Sequence, residues 1–406
     1  MSNIEKIILD KIDNMRDEII KFHQQIIQIP SENPPGKYKE ISQFVENKMN
    51  KIGLETKNKR NNVIGKWGST EGKTLIFSAH LDTVEAFKGW TMDPFKGEII
   101  NNKIYGRGAS DNKSSVTAEI FAAKALIESG VSLNGKLILT ATIDEEMGGT
   151  RGVGYLIDKG IINGDACLLG DGPSNYPVGF CGGATFITFL IKGKQAHGMG
   201  FPDLPEPNRN EYSGINAIQK MVNILNFLME LQEEFNKKET KYPITSDHPS
   251  KVSHINLAII NGGTKISTVP DKCFLSCSIH TIPEQNVKDI ENKILDFVEE
   301  LKKQDPDLEI SVQMPLSFEP QTLDLDSEFA KAVKKSAKIV FDEERDFKLF
   351  IPTTDAHWFQ EKGIKTVLFG SIRADNKPHA ADEFVYIEDL INTTKMFAIT
   401  ALNYLK

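Results

Sequence analysis

An apolar run at residues 74–84, Thr-Leu-Ile-Phe-Ser-Ala-His80-Leu-Asp82-Thr-Val, breaks off on a histidine and an aspartate two positions apart. The same device recurs down the chain. Asp111 stands in Gly-Arg-Gly-Ala-Ser-Asp-Asn-Lys, Glu145 and Glu146 in Ile-Asp-Glu-Glu-Met-Gly-Gly, and Asp171 in Leu-Leu-Gly-Asp-Gly-Pro. Far downstream comes Lys-Pro-His379-Ala-Ala-Asp-Glu. Most of these points follow strand-like stretches such as 137–143 and 166–169. In an open α/β sheet, function gathers at the carboxyl ends of the strands. Two imidazoles and several carboxylates collected there make a nitrogen–oxygen metal site suited to zinc or a similar divalent ion.

The organisation of the chain agrees with such a sheet. Ile4, Ile8, Ile12, Met15, Ile19, Phe22 and Ile26 recur at spacings of three and four, which predicts one amphipathic helix closed off by Pro30. From there to about residue 181, short apolar runs alternate with helical stretches such as 115–127, the pattern of an α/β domain. The pattern changes at Ala184. Strands at 184–191, 254–260, 273–279 and 308–314 and helices at 215–235 and 287–301 give the order β-α-β-β-α-β, a ferredoxin-like unit. After about residue 317 the α/β pattern resumes and supplies His379. A site residue beyond the unit makes the unit an insertion, so the expected domains are 1–183 and 317–406 together, with 184–316 inserted. The Pro-rich stretch 201–208 reads as a loop with no assigned role.

Composition excludes several classes of function. A chain of 406 residues is long enough for about two or three domains. Its net charge of −8 disfavours nucleic acid and anionic membranes as partners. No uncharged apolar run approaches the ~18 residues of a membrane span, and charges interrupt the N-terminus from Glu5 onward, unlike a signal peptide. Cys167, Cys181, Cys273 and Cys277 are too scattered for a disulfide framework, and a reduced, cytoplasmic protein is expected.

The ordered series Ser-Ala-His80-Leu-Asp82-Thr-Val, Gly-Arg-Gly-x-x-Asp111 and Asp-Glu145-Glu146-x-Gly-Gly resembles the M20 family of metallopeptidases and deacylases. The likeness runs from Ile29-Pro-Ser to Pro378-His379-Ala-Ala-Asp-Glu, nearly the whole chain. It implies two divalent ions, zinc with cobalt as a substitute. Asp111 would bridge them; His80 and Asp171 would complete one, and Glu146 and His379 the other. Asp82 would orient His80, and Glu145 would be the general base toward a water acidified by the ions. His197, in Gly-Lys-Gln-Ala-His197-Gly, resembles a lid histidine that reaches across a homodimer formed through the inserted domain. The implied reaction is release of the acyl group from an N-acyl amino acid; cleavage of a dipeptide or C-terminal residue by the same site is the alternative.

Each residue alone has a plainer reading. Asp111 could cap the helix that begins near Ser114, an Asp-Glu-Glu run is usually a solvated surface, and His80 with Asp82 could be unrelated strand-end residues. Asp144 has no ligand role by resemblance. His23, His248 and His254 are expected to be structural or at the surface, and His357 is outside the ligand positions. The chain also departs from the family. Counting from Pro270, Ser267 and His280 stand where an Asn and an Arg often help hold a substrate carboxylate. Histidine lacks the permanent charge and planar fork of arginine, and Arg373 could supply a compensating cation. A binding protein that keeps the fold without turnover would normally have lost a ligand or the base, and every such position is filled here. No Gly-x-Ser-x-Gly elbow offers a nucleophile in place of the metals.

Overall fold

The apolar run before His80 forms strand β3 (Lys73–His80), whose last six residues are all buried. A strand with consecutive buried residues has both faces covered, as in the interior of a parallel sheet. The computed structural model describes residues 1–199, 213–245 and 250–406. Its contacts divide the chain into two units, Met1–Phe180 with Thr322–Leu349 and Thr354–Lys406, and Cys181–Gln321 with Phe350–Thr353. The Pro-rich stretch 201–208 and His248 lie outside the described residues.

The first unit is built on a sheet with the order β1-β2-β6-β3-β7-β15-β8-β13, with β14 also pairing β8. Its strands are β1 (Glu55–Lys59), β2 (Asn62–Gly68), β3, β6 (Gly135–Thr142), β7 (Ala166–Leu169), β8 (Val178–Cys181), β13 (Gln321–Thr322), β14 (Lys348–Phe350) and β15 (Lys365–Leu368). β3 runs parallel to β6 and β7, and β7 parallel to β15. A small sheet, β16-β5-β4, joins β4 (Glu98–Ile100), β5 (Lys103–Tyr105) and β16 (Phe384–Tyr386). Helices Lys113–Glu128 and Ile387–Leu405 pack on β3 and on each other. Their core includes Leu75, Ile76, Phe77, Phe121 and Phe397, all with no exposed surface; burying each such side chain contributes about 1.5–3 kcal/mol.

The opening helix differs from its expected form. It is two helices, Asn3–Asn14 and Arg16–Ile27, meeting at Met15 with φ −89° and ψ 4°. Met15 N–H still donates to Lys11 O and Ile12 O, so the break is slight. Asp13 and Asn14 lie at the joint, and short polar side chains compete with helical hydrogen bonding there. The apolar stripe survives it: Ile8, Ile12, Ile19 and Ile26 are fully buried.

The second unit has a four-stranded antiparallel sheet in the order β10-β11-β9-β12. β9 is Gly183–Lys192, β10 His254–Gly262, β11 Lys272–Thr281 and β12 Glu309–Phe318, with helices Ala217–Phe235 and Val287–Gln304 between them. This is the ferredoxin-like order read from the sequence. Alternation sends Cys273, Leu275, Cys277 and Ile279 into the core with Ile187, Phe189 and Ile191. Asn216 and Asn286 cap the two helices, Asn216 accepting from the N–H groups of Ile218 and Gln219 and Asn286 from that of Asp289.

Candidate active site

Parallel pairing decides where the polar residues emerge. In register, His80 lies opposite Thr142, Ser78 opposite Leu169, and Leu169 opposite Leu368. The carboxyl ends of β3, β6, β7 and β15 therefore share one edge. The segments leaving that edge carry Asp82, Glu145 with Glu146, and Asp171.

The turn after β6 presents two adjacent glutamates to one place. Asp144 (φ 74°) starts it, Glu145–Met147 form a single 3-10 turn, and Gly148 (φ 93°) and Gly149 (φ 70°) end it. Gly149 admits no side chain: a Cβ would fall 2.0 Å from Asp355 Oδ1. Asp144 is engaged by Arg151, accepting from its N at 2.9 Å, Nε at 2.9 Å and Nη2 at 2.5 Å. Asp82 fixes the turn from beneath. Its Oδ1 accepts Glu145 N–H at 3.2 Å, and its Oδ2 accepts Glu146 N–H at 3.3 Å and Asn33 Nδ2 at 3.0 Å.

Asp111 stands between the two histidines. Its Oδ1 is 3.1 Å from His80 Nε2 and its Oδ2 is 3.1 Å from His379 Nε2. Glu146 Oε2 is 3.2 Å from His379 Nε2, while its Oε1 accepts Val84 N–H at 3.1 Å. Glu145 Oε2 is 3.9 Å from His80 Nε2. Donor atoms of His80, Glu145 and Asp171 lie within 4.8 Å of one another, as do those of His80, Asp111 and Glu146. The plainer reading of Asp111 as a helix cap does not hold, because the cap position is Asn112. One detail differs from the expectation for Asp82. The nearest acceptor to His80 Nδ1 is the Asp82 carbonyl at 2.9 Å, with the Asp82 carboxylate at 3.6 Å.

The protein alone leaves this charge poorly balanced. Burial, then Asp111, pushes Asp171 up to about 7. Burial, then Asp171, raises Glu145 well above the ordinary carboxylate range, and burial raises Glu146. Hydrogen bonds to Asp111 and Glu146 lift His379 to about 10. Crowded carboxylates that resist ionising are relieved by a cation. Two imidazoles and several carboxylate oxygens at these spacings fit divalent ions of the zinc type.

The other candidates have surroundings of their own. In the second unit His197 is exposed and bridges to Thr268, and Gly198 N–H donates to Ser267 O at 2.8 Å, so His197 and Ser267 are neighbours. His280 lies across the β10–β11 ladder from His254 and edge-on to Phe186, held below its ordinary pKa by burial and by His254. Arg373, expected as a spare cation, is already engaged. Its Nε and Nη2 each meet Asp389 at 2.5 Å, and Nε also reaches Ser174 Oγ at 3.2 Å. His23 is fully buried between Thr117 Oγ1 and Ala109 O, and burial brings it down to about 3. His357 places Nδ1 2.7 Å from Thr354 O and is likewise lowered to about 3 by burial.

Sequence reading missed Glu383 and Asp355. Glu383 is fully buried and accepts five hydrogen bonds from the segment bearing Asp111. Asp355 is buried behind the Glu145–Gly149 turn, raised well above its ordinary range by burial. Glu383 did stand in the quoted Pro-His-Ala-Ala-Asp-Glu segment, and Asp355 two residues before His357, but neither had a visible partner.

An α/β sheet with histidines and carboxylates converging at its strand ends is the build of a metallohydrolase. The profile of peptidase family M20/M25/M40 matches residues 76–403, and the chain belongs to that family. It is 25% identical to the N-formyl-4-amino-5-aminomethyl-2-methylpyrimidine deformylase of Halalkalibacterium halodurans, over 97% of this chain and 96% of that one. It is 26% identical to a probable succinyl-diaminopimelate desuccinylase of Staphylococcus epidermidis, over 90% and 92% of the two chains. A di-peptidase from Saccharomyces cerevisiae shares the fold with a TM-score of 0.75, at 18% identity over 100% of this chain and 99% of that one.

Proposed function

We propose that the chain hydrolyses the amide bond of an N-acyl amino acid or related acylated amine, using two divalent ions, zinc with cobalt as a working substitute. The observation that carries this reading is Asp111, whose two oxygens each face a different imidazole at 3.1 Å. His80, Asp111 and Asp171 would hold one ion, and Asp111, Glu146 and His379 the other. When bound, the ions supply Lewis acidity that polarises an amide carbonyl and lowers the pKa of water. Glu145 takes the proton of the attacking water and delivers it to the departing nitrogen. Among the described residues no hydrogen bond ties its carboxylate, whereas both oxygens of Glu146 are engaged. That freedom suits a group that must carry a proton, and the fixed neighbour suits a ligand.

The second unit is proposed as lid and dimer contact, with boundaries near 184 and 316. Its edge strand β10 exposes Leu257, Ile259 and Ile260, and helix Ala217–Phe235 exposes Ile218, Val222 and Met229. That much uncovered apolar surface supports a second copy as partner. His197 would reach the partner's site and donate to the developing oxyanion. Ser267 and His280 would meet the substrate; Arg373 is not included, because Asp389 occupies it. An imidazole held below its ordinary pKa is a neutral donor, which suits substrates without a second carboxylate, such as the acylated aminomethylpyrimidine named for one relative. We place the protein in the cytoplasm, supported by four buried cysteines without disulfides. Among the described residues no helix is long and apolar enough to cross a membrane.

The test is a panel of N-formyl, N-acetyl and N-succinyl substrates beside dipeptides, run on chelator-stripped protein and again after zinc or cobalt is restored. Acyl release should depend on the added ion. Cleavage of dipeptides alone would favour the dipeptidase reading, and no turnover by protein holding two ions would defeat both.

A further inference from the structure

Glu383 ends the pairing between β16 and β5. Phe384 lies opposite Tyr105, Gly106 N–H donates to Glu383 O at 2.9 Å, and from there the glutamate side chain continues the tie along the next residues. Oε2 accepts Arg107 Nη1 at 2.6 Å and Gly108 N–H at 3.1 Å. Oε1 accepts Ser110 N–H at 2.9 Å, Ser110 Oγ at 3.0 Å and Asp111 N–H at 3.1 Å. Arg107 then spends its Nη2 on the carbonyls of Ala380, at 3.2 Å, and Glu85, at 3.3 Å. One buried ion pair thus binds three segments: the one after His80 and Asp82, the one bearing Asp111, and the one bearing His379.

We infer that Glu383 is a positioning residue that fixes the separation of Asp111 from His379, and so sets the affinity of the ion those two share with Glu146. The inference rests on the dimetal reading above. A carboxylate saturated by five donors holds the backbone under Asp111 in one place, and the same residue lies four positions from His379. Groups that orient metal ligands in this way typically govern affinity by about 10–100-fold. A glutamine at 383 would keep the shape but turn an N–H₂ group toward donors that need an acceptor. Asp111 would then lose its fixed backbone, and His379 its fixed distance from it. Asp171 and His80 enter from β7 and β3 and do not depend on this tie, so the ion they would share with Asp111 loses the support of one ligand, whereas the ion at Asp111, Glu146 and His379 loses that of two.

The experiment is calorimetric titration of chelator-stripped full-length protein with zinc, with ion counting after desalting and cobalt absorption as a second readout. Wild type should bind two ions. Glu383→Gln should weaken one of them about 10–100-fold and leave the other within about threefold, with one set of cobalt bands lost. Glu383→Asp, which keeps the charge, should recover part of the difference. A merely structural ion pair would instead lower both affinities together with the unfolding midpoint, and that result overturns the inference. Equal, wild-type binding of both ions by folded Glu383→Gln overturns it too. Should Glu383→Gln not fold, Ser110→Ala decides, since it removes a single hydroxyl donor: selective weakening of one ion supports the inference, and unchanged binding of both defeats it. Wild type binding no zinc would defeat the dimetal reading itself, an outcome plainly distinct from two ions bound equally by variant and wild type.

Discussion

Glu291 in the second unit and Asp171 at the end of β7 are both buried carboxylates, yet the protein treats them in opposite ways. Burial works to raise Glu291, but Ser317, Thr185 Oγ1 at 2.9 Å and Lys288 at 3.3 Å hold it below its ordinary pKa. Among the described residues no hydrogen bond reaches Asp171, and burial with Asp111 takes it up to about 7. A carboxylate satisfied by its own chain is part of the architecture. One left crowded among Glu145, Glu146 and Asp111 is completed by something from outside the chain, and the donor set makes that a cation. Asp82 and Glu383 belong with Glu291 in this respect, because their partners are backbone and side-chain donors of neighbouring segments.

The contrast breaks first at Glu145. Glu145→Gln should cut turnover by about 10²–10⁴-fold while ion content stays at two per chain, measured by steady-state rates and elemental analysis on the same preparation. A normal rate, or loss of metal in step with activity, would move Glu145 from base to ligand. A smaller effect is expected at Glu291, where Glu291→Gln exchanges charge-assisted hydrogen bonds for neutral ones. Urea unfolding should show a loss of about 1 kcal/mol with metal affinity unchanged; altered metal affinity would erase the distinction between the two kinds of buried acid.

Glu119 sharpens the comparison from a third side, and its effect is one of slope. It is fully buried on helix Lys113–Glu128, neither oxygen has a hydrogen-bond partner among the described residues, and burial raises its pKa well above the ordinary range. The folded protein keeps a proton that the unfolded chain releases near pH 4.5. Stability from this group is therefore complete below that pH and is lost as pH rises toward the folded value. Glu119→Gln carries no such proton, so its urea midpoint should gain on wild type from pH 5 to pH 8. A constant difference across that range would mean that Glu119 ionises in the fold.

Much of the site was legible because ligand-bearing residues follow strands, and strands show as apolar runs. His80, Glu146 and Asp171 each come directly after such a run, and the parallel register then places them on one edge. The ferredoxin-like order of the second unit was legible for the same reason, from periods of two and 3.6. What stayed hidden depends on partners remote in sequence. Glu383 meets Ser110 across 273 positions, and nothing local separates it from a solvated acid beside Asp382. The engagement of Arg373 by Asp389 was hidden likewise, since they are 16 positions apart with β16 between. The break at Met15 was hidden for another reason: the apolar stripe runs through it unchanged. Asp82 was read as the partner of His80, but only the backbone trace after β3 shows its carboxylate turned to the Glu145 and Glu146 amides.

The central claim is that the charge left unbalanced at the ends of β3, β6 and β7 is met by two divalent ions. Protein stripped with chelator, reloaded with zinc and desalted should carry two zinc ions per chain by elemental analysis, falling to one tightly held ion in His379→Ala. Folded wild-type protein that retains one ion or none after the same treatment would contradict the account.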